Sequence, residues 1–192
     1  MGPPRIWPAV LLVIFGLALL QNAGSLEQPA DAAAAPSTRG KVAGPSRFAK
    51  ADVPPPMLKL YRKSGGRSAW RTRDGRRYPT WAVLAAVGKV ESDHCRVAGA
   101  KPGGSSSAGA LGCMQFMPGT WPGYGRGSVY DPRNSIPAAR RYLAAHRAKR
   151  DLAWALAAYN AGPGRADHPP AVTRRYVRNA LALARRYQAR RS

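Results

Sequence analysis

Thr80-Trp81-Ala82-Val83-Leu84-Ala85-Ala86-Val87-Gly88-Lys89-Val90-Glu91-Ser92 is the stretch on which the reading of this chain turns. Pro79 precedes it and sets up a helix start. Trp81, Leu84, Val87 and Gly88 recur at helical spacing, so the run reads as a helix from Thr80 or Trp81 to about Ser92 with an apolar side toward a core. Glu91 lies seven residues after Leu84 and three after Gly88 and shares that side, whereas Lys89 points elsewhere. A carboxyl group near a core face is costly when ionised, and its pKa should rise. The partial negative charge of a helix C-terminus works in the same direction. Both effects favour a protonated acid near neutral pH, the state that general-acid catalysis requires. The bland alternative is a glutamate that rotates to solvent or pairs with one of the many arginines, and position alone leaves the two open.

Around this helix the chain has 192 residues, with 31 Lys and Arg against 9 Asp and Glu, a net charge of +22. That length suits one domain with appendages, and 45% hydrophobic residues are enough for a packed core. The charge points to an anionic partner and leaves nucleic acid, an acidic membrane surface and an anionic wall polymer open. Two cysteines exclude a disulfide-dense miniprotein and a Cys-rich zinc module.

Residues 1–22 read as an export address. An apolar run from Ile6 to Leu20 follows Arg5, with small residues after it, as in a signal peptide; a retained membrane anchor is the alternative. No Cys follows the run, which argues against a bacterial lipid anchor. Residues 23–56, rich in Ala, Pro, Gly and Ser and closed by Pro54-Pro55-Pro56, read as a flexible tether. The folded domain is expected over 57–192. Within it, Met57 to Lys63 reads as a short helix and residues 64–77, with Arg67, Arg71, Arg73, Arg76 and Arg77, as a basic loop. Residues 96–112, rich in Gly and Ser, read as a second loop. Asp131-Pro132 and Asp151 are candidate helix caps, Gly162-Pro163-Gly164 a helix stop, and Pro169-Pro170 the lead into a last helix with a Val177, Ala180, Leu181, Ala184 stripe. Strands are scarce, so the domain is expected to be mainly α, with little or no β.

Further motifs come after Glu91-Ser92 in order: Ser106-Ser107-Ala108-Gly109-Ala110-Leu111-Gly112-Cys113-Met114-Gln115, Phe116-Met117-Pro118-Gly119-Thr120-Trp121, and Ala157-Ala158-Tyr159-Asn160-Ala161-Gly162. In this order and spacing the chain resembles the lytic transglycosylases of the lysozyme-like superfamily over about residues 78–180, and Glu-Ser-Asp-His with Met-Gln-Phe-Met-Pro-Gly-Thr-Trp looks most like their actinobacterial members. The resemblance implies a lysozyme-like helical domain with an active-site cleft, acting on peptidoglycan glycan strands without a cofactor or metal. It implies cleavage of the MurNAc-GlcNAc β-1,4 bond without water, giving 1,6-anhydro ends. Glu91 matches the catalytic acid/base. Ser106, Met114 and Gln115 match cleft-lining positions, and Tyr159 and Asn160 match the pair that faces the glutamate and the sugar. Tyr176-Val177 resembles the late Tyr-Val of the family. The acidic residue often found shortly before it is absent here, and Cys113 replaces the usual Leu or Pro.

The residues themselves agree with a single-acid mechanism. Glycosidases of the usual kind flank the bond with two carboxylates. Here Asp93 points away from Glu91 on a helix, and Asp131 and Asp151 look like caps. One acid suffices if the substrate supplies the nucleophile. Rival readings are a hydrolytic lysozyme of the same fold and a non-catalytic wall-binding module. A zinc site from His94, Cys95, His146 and His168 lacks ligand spacing. The C-terminal arginines could grip phosphates, yet no nucleic-acid motif is present and none is expected as partner; anionic wall polymers satisfy the same charge. Export permits a disulfide between Cys95 and Cys113, which would close the Gly/Ser-rich loop and tie two parts of the cleft together. The protein is expected outside the cytoplasm, wall-associated and monomeric.

Overall fold

The computed structural model describes residues 42–189. Its elements are α1 (Arg47–Asp52), α2 (Pro55–Gly65), a hairpin of β1 (Ala69–Arg71) and β2 (Arg77–Pro79), α3 (Thr80–Ser92), a short α4 (Trp121–Tyr124), α5 (Pro132–Ala145), α6 (Leu152–Ala161) and α7 (Ala171–Tyr187). The domain is mainly helical, as its sequence suggests, and α3 has the anticipated bounds. The expected apolar stripe is too narrow, however: every residue from Thr80 to Gly88 is buried. A helix apolar all round belongs inside a core, and α2, α5 and α7 pack around this one. Gly88 is required there, because a Cβ at that position would collide with the Tyr61 hydroxyl of α2.

The tether ends sooner than residue 56. Pro45 forms a bridge with Gln188, Ser46 N–H donates to the Tyr187 carbonyl at 2.8 Å, and the Ser46 hydroxyl donates to the Arg186 carbonyl at 2.6 Å. The same hydroxyl accepts from Ala49 N–H and caps α1. Ala49 and Val53 are sealed in the core at 0% and 1% exposure. Pro54-Pro55-Pro56, read from sequence as the tether's close, instead leads into α2, where proline fits the first turn because no helical partner awaits its missing N–H. The expected signal or anchor over 1–22, and the tether up to residue 41, lie outside the described residues. Among the described residues no helix is long and apolar enough to cross a membrane.

The basic loop expected over 64–77 carries the hairpin. Trp70 and Tyr78 face each other across the antiparallel pair and are both buried, while Arg71, Arg73, Arg76 and Arg77 stay in solvent. Two aromatic rings on one face give this short ribbon a reason to dock on the core. The caps fall where the sequence places them. The Asp131 carboxylate accepts from Arg133 N–H at 2.8 Å and that of Asp151 from Trp154 N–H at 3.1 Å, the latter also binding Arg73 at 2.6 Å. On α7, Tyr176, Ala180, Ala184 and Tyr187 are buried and the arginines lie outside.

Beyond α3 the chain doubles back through three consecutive residues with positive φ: Asp93 (48°), His94 (57°) and Cys95 (71°). This costs on the order of 1–2 kcal/mol per residue and must be over-determined by its surroundings. Asp93 N–H and His94 N–H donate to the Lys89 and Gly88 carbonyls, so the turn closes the helix end. The Ser92 hydroxyl accepts from Cys95 N–H at 2.9 Å and donates to the Cys113 carbonyl at 2.6 Å. The expected disulfide joins Cys95 to Cys113.

Truncation and thiol titration test this packing. Deleting residues 1–44 should cost about 1–2 kcal/mol, since it removes the Ala43 carbonyl that accepts from the Trp81 indole and the Gly44 carbonyl that accepts from Ala189 N–H, whereas deleting 1–56 should cost at least about 3 kcal/mol more. The longer cut removes Val53 and Ala49 from the core and strands the groups that Asp52 satisfies. Titration of the unfolded, unreduced protein should find no free thiol, and replacing both cysteines by alanine should lower stability by roughly 3 kcal/mol, the scale for a loop of this size.

Candidate active site

Glu91 sits in the last turn of α3, with α7 packed across it. It keeps some exposed surface, yet the protein packed around its carboxyl strips away enough water to push its pKa up to about 7. One interaction opposes this: the Tyr176 hydroxyl of α7 donates to Glu91 Oε1 at 2.7 Å and favours the ionised form. Burial and the nearby Glu91 charge hold Tyr176 far above the ordinary phenol range, so it stays a donor across neutral pH.

Tyr159 is brought to the same place but serves another partner. Its hydroxyl donates to the Met114 carbonyl at 2.7 Å, while its ring meets Phe116 and Tyr142 edge to face. Glu91 is close enough that its charge, after burial, helps raise the Tyr159 pKa. The sequence reading pairs Tyr159 with the glutamate; in the folded chain Tyr176 takes the hydrogen bond. That tyrosine stood out only as part of Tyr176-Val177. Its spacing along α7 could have placed it on the buried side, but not against Glu91.

Met114 has no exposed surface and belongs to the main core, so its side chain does not reach a cleft as the sequence reading expects. Gln115 comes next at φ 48°, its amide Nε2 donating to the Gly112 carbonyl at 2.8 Å inside a tight turn closed by the Leu111–Phe116 bridge. Ser106 lies in the preceding loop, where its hydroxyl accepts from Ala110 N–H at 3.0 Å. Asn160 lies near the end of α6, and its carbonyl oxygen accepts from the buried Thr173 hydroxyl of α7 at 2.7 Å. Glu91 is thus tied to this wall twice over, through Ser92 to the Cys113 carbonyl and through the disulfide.

The other acids of the described residues are engaged elsewhere. Asp93 accepts from Lys89 and Arg96, Asp131 and Asp151 cap helices, Asp167 accepts from the Trp154 indole, and Asp74 pairs with Thr72 and Arg76. Asp52, which the sequence reading left in the tether, accepts from Tyr187 at 2.6 Å and pairs with Lys89 at 2.7 Å. His94 is buried between Tyr61 and Tyr187, and burial pushes its pKa down to about 4, so it is neutral. With His94 in this network and Cys95 in the disulfide, the His94–Cys95 pair is committed to structure. Among the described residues no group of three His, Cys, Asp or Glu could hold a metal.

A half-buried acid of raised pKa at a helix end, one tyrosine donor, and a wall clamped to that helix make an arrangement fitted to donating and recovering a proton. Residues 68–178, more than half of the chain and the whole of this arrangement, match the Transglycosylase SLT domain, so the chain belongs to that lysozyme-like family of peptidoglycan lytic transglycosylases.

Proposed function

We propose that this protein cleaves the MurNAc-GlcNAc β-1,4 bond of peptidoglycan with Glu91 as sole acid and base, leaving 1,6-anhydro muramic ends. Family membership implies lytic transglycosylase activity; the observation that carries the finer reading is the Glu91 pKa of about 7 beside the Tyr176 donor. A carboxyl poised at 7 is protonated often enough to give its proton to the glycosidic oxygen. Once it has done so, Tyr176 steadies the carboxylate. The carboxylate then takes the proton of the muramic 6-hydroxyl as that oxygen closes on the anomeric carbon, so no water is consumed. The substrate's N-acetyl group supplies the intervening stabilisation, in place of the second carboxylate of ordinary glycosidases. That the remaining acids of residues 42–189 are engaged in caps and ion pairs supports this economy.

In this reading Asn160, its carbonyl held by Thr173, presents its NH2 group to the sugar, and Ser106 and Gln115 shape the cleft. Met114 carries the wall. The enzyme is exported, as the disulfide suggests, works as a monomer of the actinobacterial type, and meets glycan strands together with anionic wall polymers through its basic surface.

Glu91→Gln should lower turnover on purified wall by at least ~100-fold, the scale of general acid-base catalysis, with wall binding retained. Full activity in that variant would leave Glu91 without a role. Stability should move the other way. The carboxyl ionises near pH 4.5 when unfolded and near 7 when folded, so its contribution is fully present below pH 4.5 and is lost as pH rises through 7. Glutamine cannot ionise, so Glu91→Gln should be more stable than the parent above pH 7, by on the order of 3 kcal/mol, with no difference near pH 4. Denaturant midpoints across that range measure it.

Tyr176→Phe removes a hydrogen bond to the ionised form and so raises the Glu91 pKa. The alkaline limb of the pH–rate profile should move to higher pH, and an unchanged limb would contradict the assignment. Mass spectrometry of the products should find anhydro ends one water lighter than lysozyme products; reducing ends as the major species would make the enzyme a hydrolase.

A further inference from the structure

The N-terminal end of α3 lies ten residues, about 15 Å of helix, from Glu91, and four parts of the chain meet there. Residues 42–44 run past Trp81, whose indole N–H donates to the Ala43 carbonyl at 3.0 Å. The last turn of α2 brings Arg62 and Lys63, and the turn after it Gly66 and Arg67. The last turn of α7 brings Arg185, close enough to Tyr78 of the hairpin for its charge to act on that hydroxyl. Between the first three parts is a cavity of about 480 Å³ lined by Arg62, Lys63 and Arg67 together with Trp81. These three cations make no ion pair among the described residues.

We propose that this basic cavity at the N-terminal end of α3 is a docking site for an anionic wall polymer with phosphodiester repeats, separate from the glycan cleft. The inference rests on the wall-acting enzyme proposed above and locates one part of its basic surface. Three cations lining one cavity suit a phosphate group, which a guanidinium can bind through two parallel hydrogen bonds. The lining contains no acid to pair with an amino group of a stem peptide, and its three cations suit a polymer of uniformly negative repeats better than a peptide of mixed charge. A lipid surface fits less well, because the site is concave and no large exposed hydrophobic side chain lies there: Val97 and Met117, the exposed ones among the described residues, are elsewhere. Engagement at this end would hold the enzyme on the wall while leaving Glu91 free for a glycan strand.

The test uses the full chain carrying Arg62→Gln, Lys63→Gln and Arg67→Gln together. A control variant loses the same charge on the exposed Arg140, Lys149 and Arg150. Binding is read by sedimentation with purified wall, before and after chemical removal of its phosphodiester polymers, and turnover is read on a soluble glycan. The cavity variant should bind intact wall at least ~10-fold more weakly than the parent, with a shallower salt dependence. It should match the parent on stripped wall and turn over soluble glycan at the parental rate, which also shows that it folds. The control should lose much less binding. Equal losses in the two variants would mean diffuse charge and overturn the proposal. So would parental binding that survives stripping, which would point to stem carboxylates, or a cavity variant that loses anionic vesicles but keeps intact wall. Should even the parent fail on glycan, the enzymatic reading falls while the binding comparison still decides the docking site.

Discussion

The carboxyl of Glu91 can be kept short of water only because α3 is enclosed along its length. A helix this apolar has no solvent-facing side, so α2, α5 and α7 must close over it. Once they do, the final turn carries its glutamate to the edge of the core, where it is half-buried. Desolvation there raises the pKa to about 7, and the single hydrogen bond from Tyr176 offsets only part of the shift. The small residues of α3 belong to the same constraint, since Gly88 lets the Tyr61 hydroxyl lie against the helix and Ala82, Ala85 and Ala86 allow close neighbours. Bulkier residues would push α2 and α7 away and let water in.

An acid of this kind is useful only if it is held still. The left-handed run Asp93-His94-Cys95 turns the chain back at once, at a conformational cost that its partners must offset. Beside the neighbouring Lys89 and Ser92, those partners come from distant parts of the chain: Asp52 on Lys89, Tyr61 and Tyr187 around His94, and Cys113 through the disulfide and its carbonyl. The segment from Pro45 to Val53 is therefore structural for the site, although it lies far from it in sequence. It binds the end of α7 and supplies the carboxylate that receives the Tyr187 hydroxyl.

Charge is divided by the same logic. The few carboxylates of residues 42–189 cap helices, receive buried hydroxyls or indoles or pair locally, and Glu91 alone combines a raised pKa with a half-buried place at a helix end. The cations of the described residues lie mostly outside and mostly without an ion-pair partner, giving a surface with a positive long-range field.

Local chemistry was legible in the sequence. The bounds of α3, the Asp131 and Asp151 caps, the stop at Gly162 and the position of Glu91 on an apolar side all report energies set within a few residues, which a linear pattern records. The pairing of Cys95 with Cys113 came from there being only two cysteines in a chain read as exported. The tertiary structure decided the rest. Tyr176 reaches Glu91 across 85 residues and Tyr187 reaches Asp52 across 135. The Trp70–Tyr78 pair turned an arginine-rich loop into a hairpin, and packing sealed Met114 and left its carbonyl for Tyr159. The three prolines misled because proline at a helix start and proline in a tether look alike until the next residues pack against a core. A hydrogen bond between distant residues leaves no periodicity behind, since its energy exists only once the helices that carry the two groups have packed together.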